Sequence, residues 1–332
     1  VNDKKYDVFG VGNAIVDILA LVQDQSLADL ELAKGGMALM DAETQSGVLQ
    51  HLEGHSLKLA SGGSAANTMV AVAQSGGNGV YFGKVANDTH GHFYKRDMEA
   101  AGIAFPVPAA DEADLPTGTS VILTTPDAER TMCTHLGIST TLHKSDIDID
   151  ILAQSRISYI EGYLWDAEHP REACIESFEQ SQRLGVRTAF TFSDGFLIDR
   201  FADDFRKIIA DYADIVFCNQ DEAHHFFQTD DLNECISKLG QACDLAFITC
   251  SEHGCHVIEN GASKHVHGFP VKAIDTVGAG DAFAGGVLFG LTHGMSPTES
   301  ARWGNYFASR VVEHLGPRLE SSMQEHLQSV IV

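Results

Sequence analysis

The sequence is short of positive charge. Its 22 Lys+Arg face 46 Asp+Glu, a formal net charge of −24 over 332 residues. A protein that tracks phosphate backbones or anionic lipid needs clustered cations, so nucleic-acid binding and membrane-surface attachment are excluded as the main activity. A small phosphorylated ligand needs only one local positive pocket and stays open. Long hydrophobic runs are missing too, and none approaches the ~18 uncharged apolar residues of a membrane span. The apolar stretch after Lys4-Lys5 imitates a secretory leader but carries Asn13 and Asp17 inside it. It reads as a first strand running into a turn. The 7 cysteines, Cys133, Cys174, Cys218, Cys235, Cys243, Cys250 and Cys255, include no Cys-x-x-Cys pair. That argues against a zinc centre or disulfide framework and for reduced thiols in the cytoplasm. His224-His225 lacks a spaced partner for zinc and reads as surface helix, and the Cys250/Cys255 spacing as structural. The chain begins at Val1, as a processed or edited chain would.

What remains is a near-average globular composition, 44% hydrophobic and 20% charged. The length allows two average domains or one large α/β domain with an insertion. Short β-rich runs at Gly79–Gly83, Ile157–Ile160, Thr188–Phe192, Ile215–Cys218 and Leu245–Thr249 alternate with helical stretches at Ser64–Gln74, His90–Ala101, Glu168–Leu184, Phe201–Tyr212 and Leu232–Leu239. This rhythm predicts a largely parallel sheet covered on both faces. Residues 13–60 and 103–140 break it with shorter alternating runs. Ser120–Thr124 and Arg130–Thr134 flank the turn Thr125-Pro126-Asp127-Ala128-Glu129, the arithmetic of a hairpin. We expect one domain over 1–332, with these segments forming a small β-sheet lid.

The sharpest signal is Asp275-Thr276-Val277-Gly278-Ala279-Gly280-Asp281, followed by apolar residues at helical spacing. Glycines opening a helix place unpaired N–H groups and the positive end of a dipole where an anion can sit. A carboxylate there is costly unless it has work, such as taking a proton from an attacking hydroxyl. On the residues alone, Asp281 could equally be an N-cap beside a tight turn. No Lys-Ser/Thr follows, so this is not a Walker loop. Gly10-Val11-Gly12 would need a glycine at position 15 to be a dinucleotide fingerprint, and Ile15 stands there.

The 275–281 string closely resembles the second signature of the PfkB carbohydrate kinases, the ribokinase and adenosine kinase superfamily. Gly62-Gly63-Ser64-Ala65-Ala66-Asn67 resembles the first signature. Gly12-Asn13-Ala14-Ile15-Val16-Asp17 is similar to the stretch that ends the family's first strand. The resemblance runs from Gly12 to about Gly316 in the family's order and lies closer to the adenosine kinase branch. It implies a ribokinase-like α/β fold, ATP and Mg²⁺, and transfer of the γ-phosphoryl group to a primary hydroxyl. Asp281 is then the general base and Gly278, Ala279 and Gly280 the anion hole. Asn13, Asp17, Gly63, Ser64 and Asn67 hold the acceptor, with Arg130 either over the transferring phosphate or a solvated strand residue. Asn219-Gln220-Asp221-Glu222 matches a motif tied to hydrated Mg²⁺ through Glu222. Thr249, Ser251 and Gly254 line the nucleotide channel, with His267 and Asn305 at the purine. The Asp275 and Val277 backbone is a potential monovalent cation (K⁺) site.

The acceptor itself is open. Adenosine or a ribose-type sugar is favoured over fructose or a sugar phosphate, and a nucleoside base would need apolar lid groups, for which Met37, Leu39, Phe105, Met132 and Leu136 are candidates. Glu161-Gly162-Tyr163 either reaches the acceptor or is strand core. A non-catalytic nucleoside- or sugar-binding protein of the same fold is the alternative, against which the intact Asp281 speaks. Exposed lid strand edges are expected to allow a homodimer.

Overall fold

The computed structural model describes residues 4–111, 115–127 and 129–331. Ala128, inside the expected hairpin turn, lies outside them. In chain order the strands are β1 (Tyr6–Val11), β2 (Ile15–Leu21), β3 (Met37–Leu39), β4 (Leu57–Gly62), β5 (Gly79–Phe82), β6 (Ile103–Ala104) and β7 (Gly118–Thr124). They continue with β8 (Arg130–His135), β9 (Ser155–Glu161), β10 (Arg187–Thr191), β11 (Ile215–Asn219), β12 (Leu245–Thr249), β13 (Cys255–Glu259) and β14 (Ala262–Val266). A nine-stranded sheet has the order β14-β13-β12-β11-β10-β9-β1-β5-β6, and a five-stranded sheet the order β3-β8-β7-β2-β4.

In the large sheet, neighbours from β6 through β12 pair in parallel. Parallel strands need crossovers, and helices such as Glu168–Leu184 and Leu232–Ala242 supply them. β13 and β14 instead form an antiparallel hairpin, because Asn260 (φ 50) and Gly261 (φ 79) both take the left-handed conformation a two-residue turn demands. Adjacent strand residues point to opposite faces, so Phe9 and Phe190 enter one apolar cluster while Val8 and Ala189 enter the other. Both faces of the sheet are buried, which is the α/β architecture the alternation predicts.

One helix differs from expectation. It starts at Gly195, capped by the Asp194 carboxylate that accepts the Phe196 N–H, and kinks at Phe201 (φ −133, ψ 21). Ser193-Asp194-Gly195 reads as a turn in sequence, which hid the first helical turn. Among the described residues no helix is long and apolar enough to cross a membrane.

The small sheet is two-faced. Ile18, Ala20, Val121, Leu123 and Cys133 pack with Val48 of the helix Ala42–His51 and with its C-cap Leu52 into a core of their own. The alternate residues Ile15, Asp17, Ser120, Ile122, Met132 and Thr134 face a cavity instead. The expected hairpin is β7–β8, with Val121 opposite Cys133.

Two helices then set the distance that matters for chemistry. A Cβ on Gly285 would meet the Ala71 Cβ at 2.5 Å and the Thr68 carbonyl at 2.6 Å. Only glycine lets the helix Ala279–Thr292 lie backbone-close against Ser64–Gln74. Asp281, one turn before Gly285, is thereby carried against the opening turn of the other helix.

Candidate active site

A cavity of about 370 Å³ opens where the parallel strands end and the small sheet overhangs them. Glu161 of β9, Thr191 of β10, Asn219 of β11 and Thr249 of β12 are each the last residue of their strand, and all line it. The chain leaves β1 at the same level and crosses into the small sheet through Gly12 and Asn13. Open α/β sheets bind ligands at such carboxyl ends, beside a switch in connection.

Asp281 stands on the third residue of its helix, whose N-cap is Gly278 (φ 76), so it is not the N-cap. Its carboxylate reaches across the helix pair. Oδ1 accepts the Ser64 hydroxyl at 2.6 Å, and Oδ2 accepts the Asn67 amide N–H at 2.9 Å. Burial pushes its carboxyl up to about 6, against the pull of Ser64, Asn67 and Arg318. The carboxylate is therefore held by donors that leave lone pairs facing the cavity.

The anion seat is narrower than the glycines suggest. The Ala279 N–H, one of its expected donors, is turned to the Thr276 carbonyl at 3.2 Å, closing the tight turn that Gly278 permits. The Gly280 and Asp281 N–H groups meet no carbonyl among the described residues. These are the free donors at the helix start.

Across the cavity, Asp17 on β2 is 7% exposed and takes no hydrogen bond among the described residues. Burial raises its carboxyl to about 7, with Arg318 and then Arg130 lowering it. A buried carboxylate without a donor is expensive, and a ligand with adjacent hydroxyls would satisfy both of its oxygens. Gly62 makes room for it, since a Cβ there would stand 2.3 Å from Asp17 Oδ1. Gly63 (φ 101) brings the chain within reach of the Asn13 carbonyl, which a Cβ would meet at 2.2 Å.

Glu161, whose role the sequence left undecided, organises this corner. It accepts the Asn13 N–H at 2.7 Å, the Asn13 side-chain amide at 3.1 Å and the Ala65 N–H at 2.7 Å. One buried carboxylate thus ties the end of β1 to the start of the Ser64 helix, and burial raises it to about 7. Tyr163, two residues further on, also lines the cavity. Met37, Leu39, Met132 and Leu136 do as well, whereas Phe105 is core, packed against Tyr81 and Tyr94.

On the opposite side, Asn219 and Glu222 form a reciprocal cap. The Glu222 carboxylate accepts from the Asn219 N–H and amide, and Asn219 Oδ1 accepts the Glu222 N–H at 2.7 Å. Both line the cavity, as Thr249 does. Ser251 and His267 are exposed outside its wall. Gly254 is buried for packing, since a Cβ would meet the Val266 carbonyl at 2.1 Å. Asn305 is buried too, and its amide is spent on the Val266 and His267 carbonyls at 3.1 and 3.3 Å. Of the residues expected around the nucleotide base, the structure brings Thr249 to the cavity and not these others.

Arg130 is buried, not a solvated strand residue. It shares a face of β8 with Met132 and Thr134, and its Nη2 lies 2.5 Å from Asp275 Oδ2. Its Nε and Nη1 have no partner among the described residues. Asp275 also accepts the Val277 N–H through Oδ1 and the Gly316 N–H through Oδ2. Arg318, which sequence reasoning missed, follows the Gly316-Pro317 turn and reaches Asn67 and Ser61.

Comparison with known proteins places this geometry. The model of the pfkB family carbohydrate kinases matches residues 31–323. The structure of adenosine kinase from Sinorhizobium meliloti is 38% identical, with a TM-score of 0.90 over 98% of this chain and 99% of that one. A probable sugar kinase from Rhizobium etli is 36% identical, with a TM-score of 0.92 over 99% and 100%. Among curated proteins, adenosine kinase from Saccharomyces cerevisiae is 27% identical over 94% of this chain and 96% of its own length.

Proposed function

Because the chain belongs to the pfkB family of carbohydrate kinases, we propose that the acceptor it phosphorylates is adenosine or a close purine nucleoside. It is an ATP-dependent phosphotransferase acting on a nucleoside or sugar hydroxyl. The observation that carries the nucleoside reading is the apolar roof beside Asp17: Met37, Leu39, Ile122, Met132 and Leu136 line the same cavity as that hydroxyl-seeking carboxylate. A free sugar has no surface to give such a roof, whereas a purine buries its faces there. The adenosine kinases among the relatives support it.

In this reading Asp17, Asn13 and Asn67 fix the ribose hydroxyls, and the primary hydroxyl comes to rest at Asp281 next to the free Gly280 N–H. Asp281 takes its proton as the oxygen attacks the γ-phosphorus, and ADP leaves with the broken bond's electrons. Charge that spreads over the transferred group meets the Gly280 and Asp281 amides. The small sheet acts as a lid that excludes water, a competing acceptor.

Glu222 suits a hydrated Mg²⁺, since each of its carboxylate oxygens takes one donor from Asn219 and keeps capacity for the ion's water shell. Bound Mg²⁺ supplies charge neutralisation at the nucleotide phosphates.

An ADP-release assay across nucleosides and sugars tests the acceptor. Adenosine is expected to exceed ribose and fructose in kcat/KM by at least about tenfold, the difference a filled apolar pocket makes. Ribose or fructose as the better substrate would overturn the nucleoside reading.

A further inference from the structure

Arg318 lies outside the short motifs that the sequence singled out, yet it bonds to Asn67 of the acceptor site and to Ser61 beside it. Its Nε donates to Asn67 Oδ1 at 2.7 Å, and its Nη1 donates to the Ser61 hydroxyl at 2.7 Å. Ser61 in turn donates from its N–H and hydroxyl to Asp97, which stands 3.8 Å from Nη1. The remaining nitrogen, Nη2, is buried without a partner among the described residues. The loop that bears Arg318 is pinned to the anion seat, because Pro317 packs where a Cβ on Gly278 would be, 2.5 Å away.

We propose that Arg318 is a positioning residue for phosphoryl transfer: it fixes the Asn67 amide so that its N–H₂ faces Asp281, and its charge keeps the catalytic carboxylate ionised beside the other acids of the acceptor site.

Two observations drive this. An asparagine amide has one donor end and one acceptor end. With Oδ1 held by the guanidinium, Nδ2 is the end left for Asp281 Oδ2 at 2.9 Å. Turned the other way, Asn67 would present an oxygen to a carboxylate, and the base would lose a donor and gain a repulsion.

The second observation is the crowd of acids. Asp281 is faced by Asp17 from β2, by Glu161 and Tyr159 from β9, and by Tyr163 just beyond β9. Burial raises Asp17 and Glu161 to about 7 and Asp281 to about 6. Arg318 opposes that rise at both Asp17 and Asp281, and Arg130 opposes it at Asp17 as well. A base must be deprotonated to work, so a cation that serves the reaction without touching the substrate is expected to act through the acid limb of the rate profile.

The inference rests on Asp281 being the general base, and the pH profile of kcat separates the two claims. Wild type is expected to lose activity as pH falls through about 6, where Asp281 takes up its proton. In Arg318→Met that limb moves up by about one pH unit or more, and the kcat left on the plateau at about pH 9 falls to the level of Arg318→Lys, because both variants lack the Nε bond to Asn67. Arg318→Lys keeps the charge but not the Nε bond, so its limb stays near the wild-type position while kcat drops. Arg318→Gln gives the same reading as Arg318→Met should the latter fail to fold. An Arg318→Met or Arg318→Gln enzyme that loses the same factor at every pH, with the limb unmoved, overturns the proposal. A wild-type limb that survives in Asp281→Asn overturns the base assignment instead.

Discussion

Asp281→Asn is expected to lower kcat by about 10²–10⁴-fold while leaving nucleotide affinity within about threefold of wild type. The substitution keeps the shape of the side chain. Its carbonyl oxygen can still accept from Ser64 or Asn67, which now bond the carboxylate at 2.6 and 2.9 Å. What disappears is the basic site for the acceptor proton. Because the Gly280 N–H is a backbone group, the anion seat survives the change. Binding and turnover should therefore separate. Calorimetry with ATP and a steady-state assay on one preparation check this. Unchanged kcat would remove Asp281 from the reaction, and lost ATP affinity would make it a structural element of the nucleotide site.

The second large effect belongs to Gly278→Ala. Gly278 is the N-cap of the catalytic helix at φ 76, a left-handed conformation that costs a residue with a Cβ about 1–2 kcal/mol. The new Cβ would also fall 2.6 Å from the Pro317 Cα and 2.7 Å from its carbonyl oxygen, contacts that only backbone movement can relieve. Either the helix start or the 316–318 loop must give way. Both consequences reach the chemistry, the first by re-aiming the Gly280 N–H and the second by pulling Arg318 off Asn67. Loss of one preorganised donor of this kind costs about 10²–10³ in kcat. The expected variant is folded, less stable by about 1–3 kcal/mol, and nearly inactive at every pH. Thermal unfolding and kcat measured together check this. A fully active Gly278→Ala would show that the helix start does not hold the transferring group.

These two residues were legible in the sequence because their chemistry is written in one short string. A glycine-rich turn followed by helical spacing says where the free amides are, and Asp281 follows them directly. Asn13, Asp17 and Asn67 were expected from the family resemblance of the stretches beginning at Gly12 and Gly62, and local pattern alone would not have singled them out. The parallel sheet was equally readable from alternating β-rich and helical runs. Arg318 and Glu161 were not readable as site builders. Each is a single charged residue without local pattern, and its meaning comes from partners far away in sequence: Asn67 for Arg318, Asn13 and Ala65 for Glu161. Arg130 was ambiguous for the same reason until its β8 face was known to point inward. Phe105 was a candidate for its apolar side chain and Asn305 through the family resemblance; in the structure Phe105 fills space against Tyr81, and the Asn305 amide bonds the backbone carbonyl at the end of β14.

The gating of acceptor chemistry by a cluster of buried acids follows from this arrangement. Asp17 and Asp281 are pushed upward by burial and held back by cations. In the proposed mechanism the ionised forms are the useful ones, Asp17 for accepting hydroxyls and Asp281 for accepting the proton. Activity therefore rises with pH through the range of about 6 to 7.

The account stands most directly on where the phosphoryl group goes. Phosphorus NMR of the protein with MgATP and adenosine can follow the γ-phosphorus from reactant to product. The predicted result is a nucleoside monophosphate signal on the primary hydroxyl growing in step with ADP, with little inorganic phosphate. ADP growing in step with inorganic phosphate and no monophosphate would mean that water is the acceptor and that the cavity below the small sheet does not do the work assigned to it.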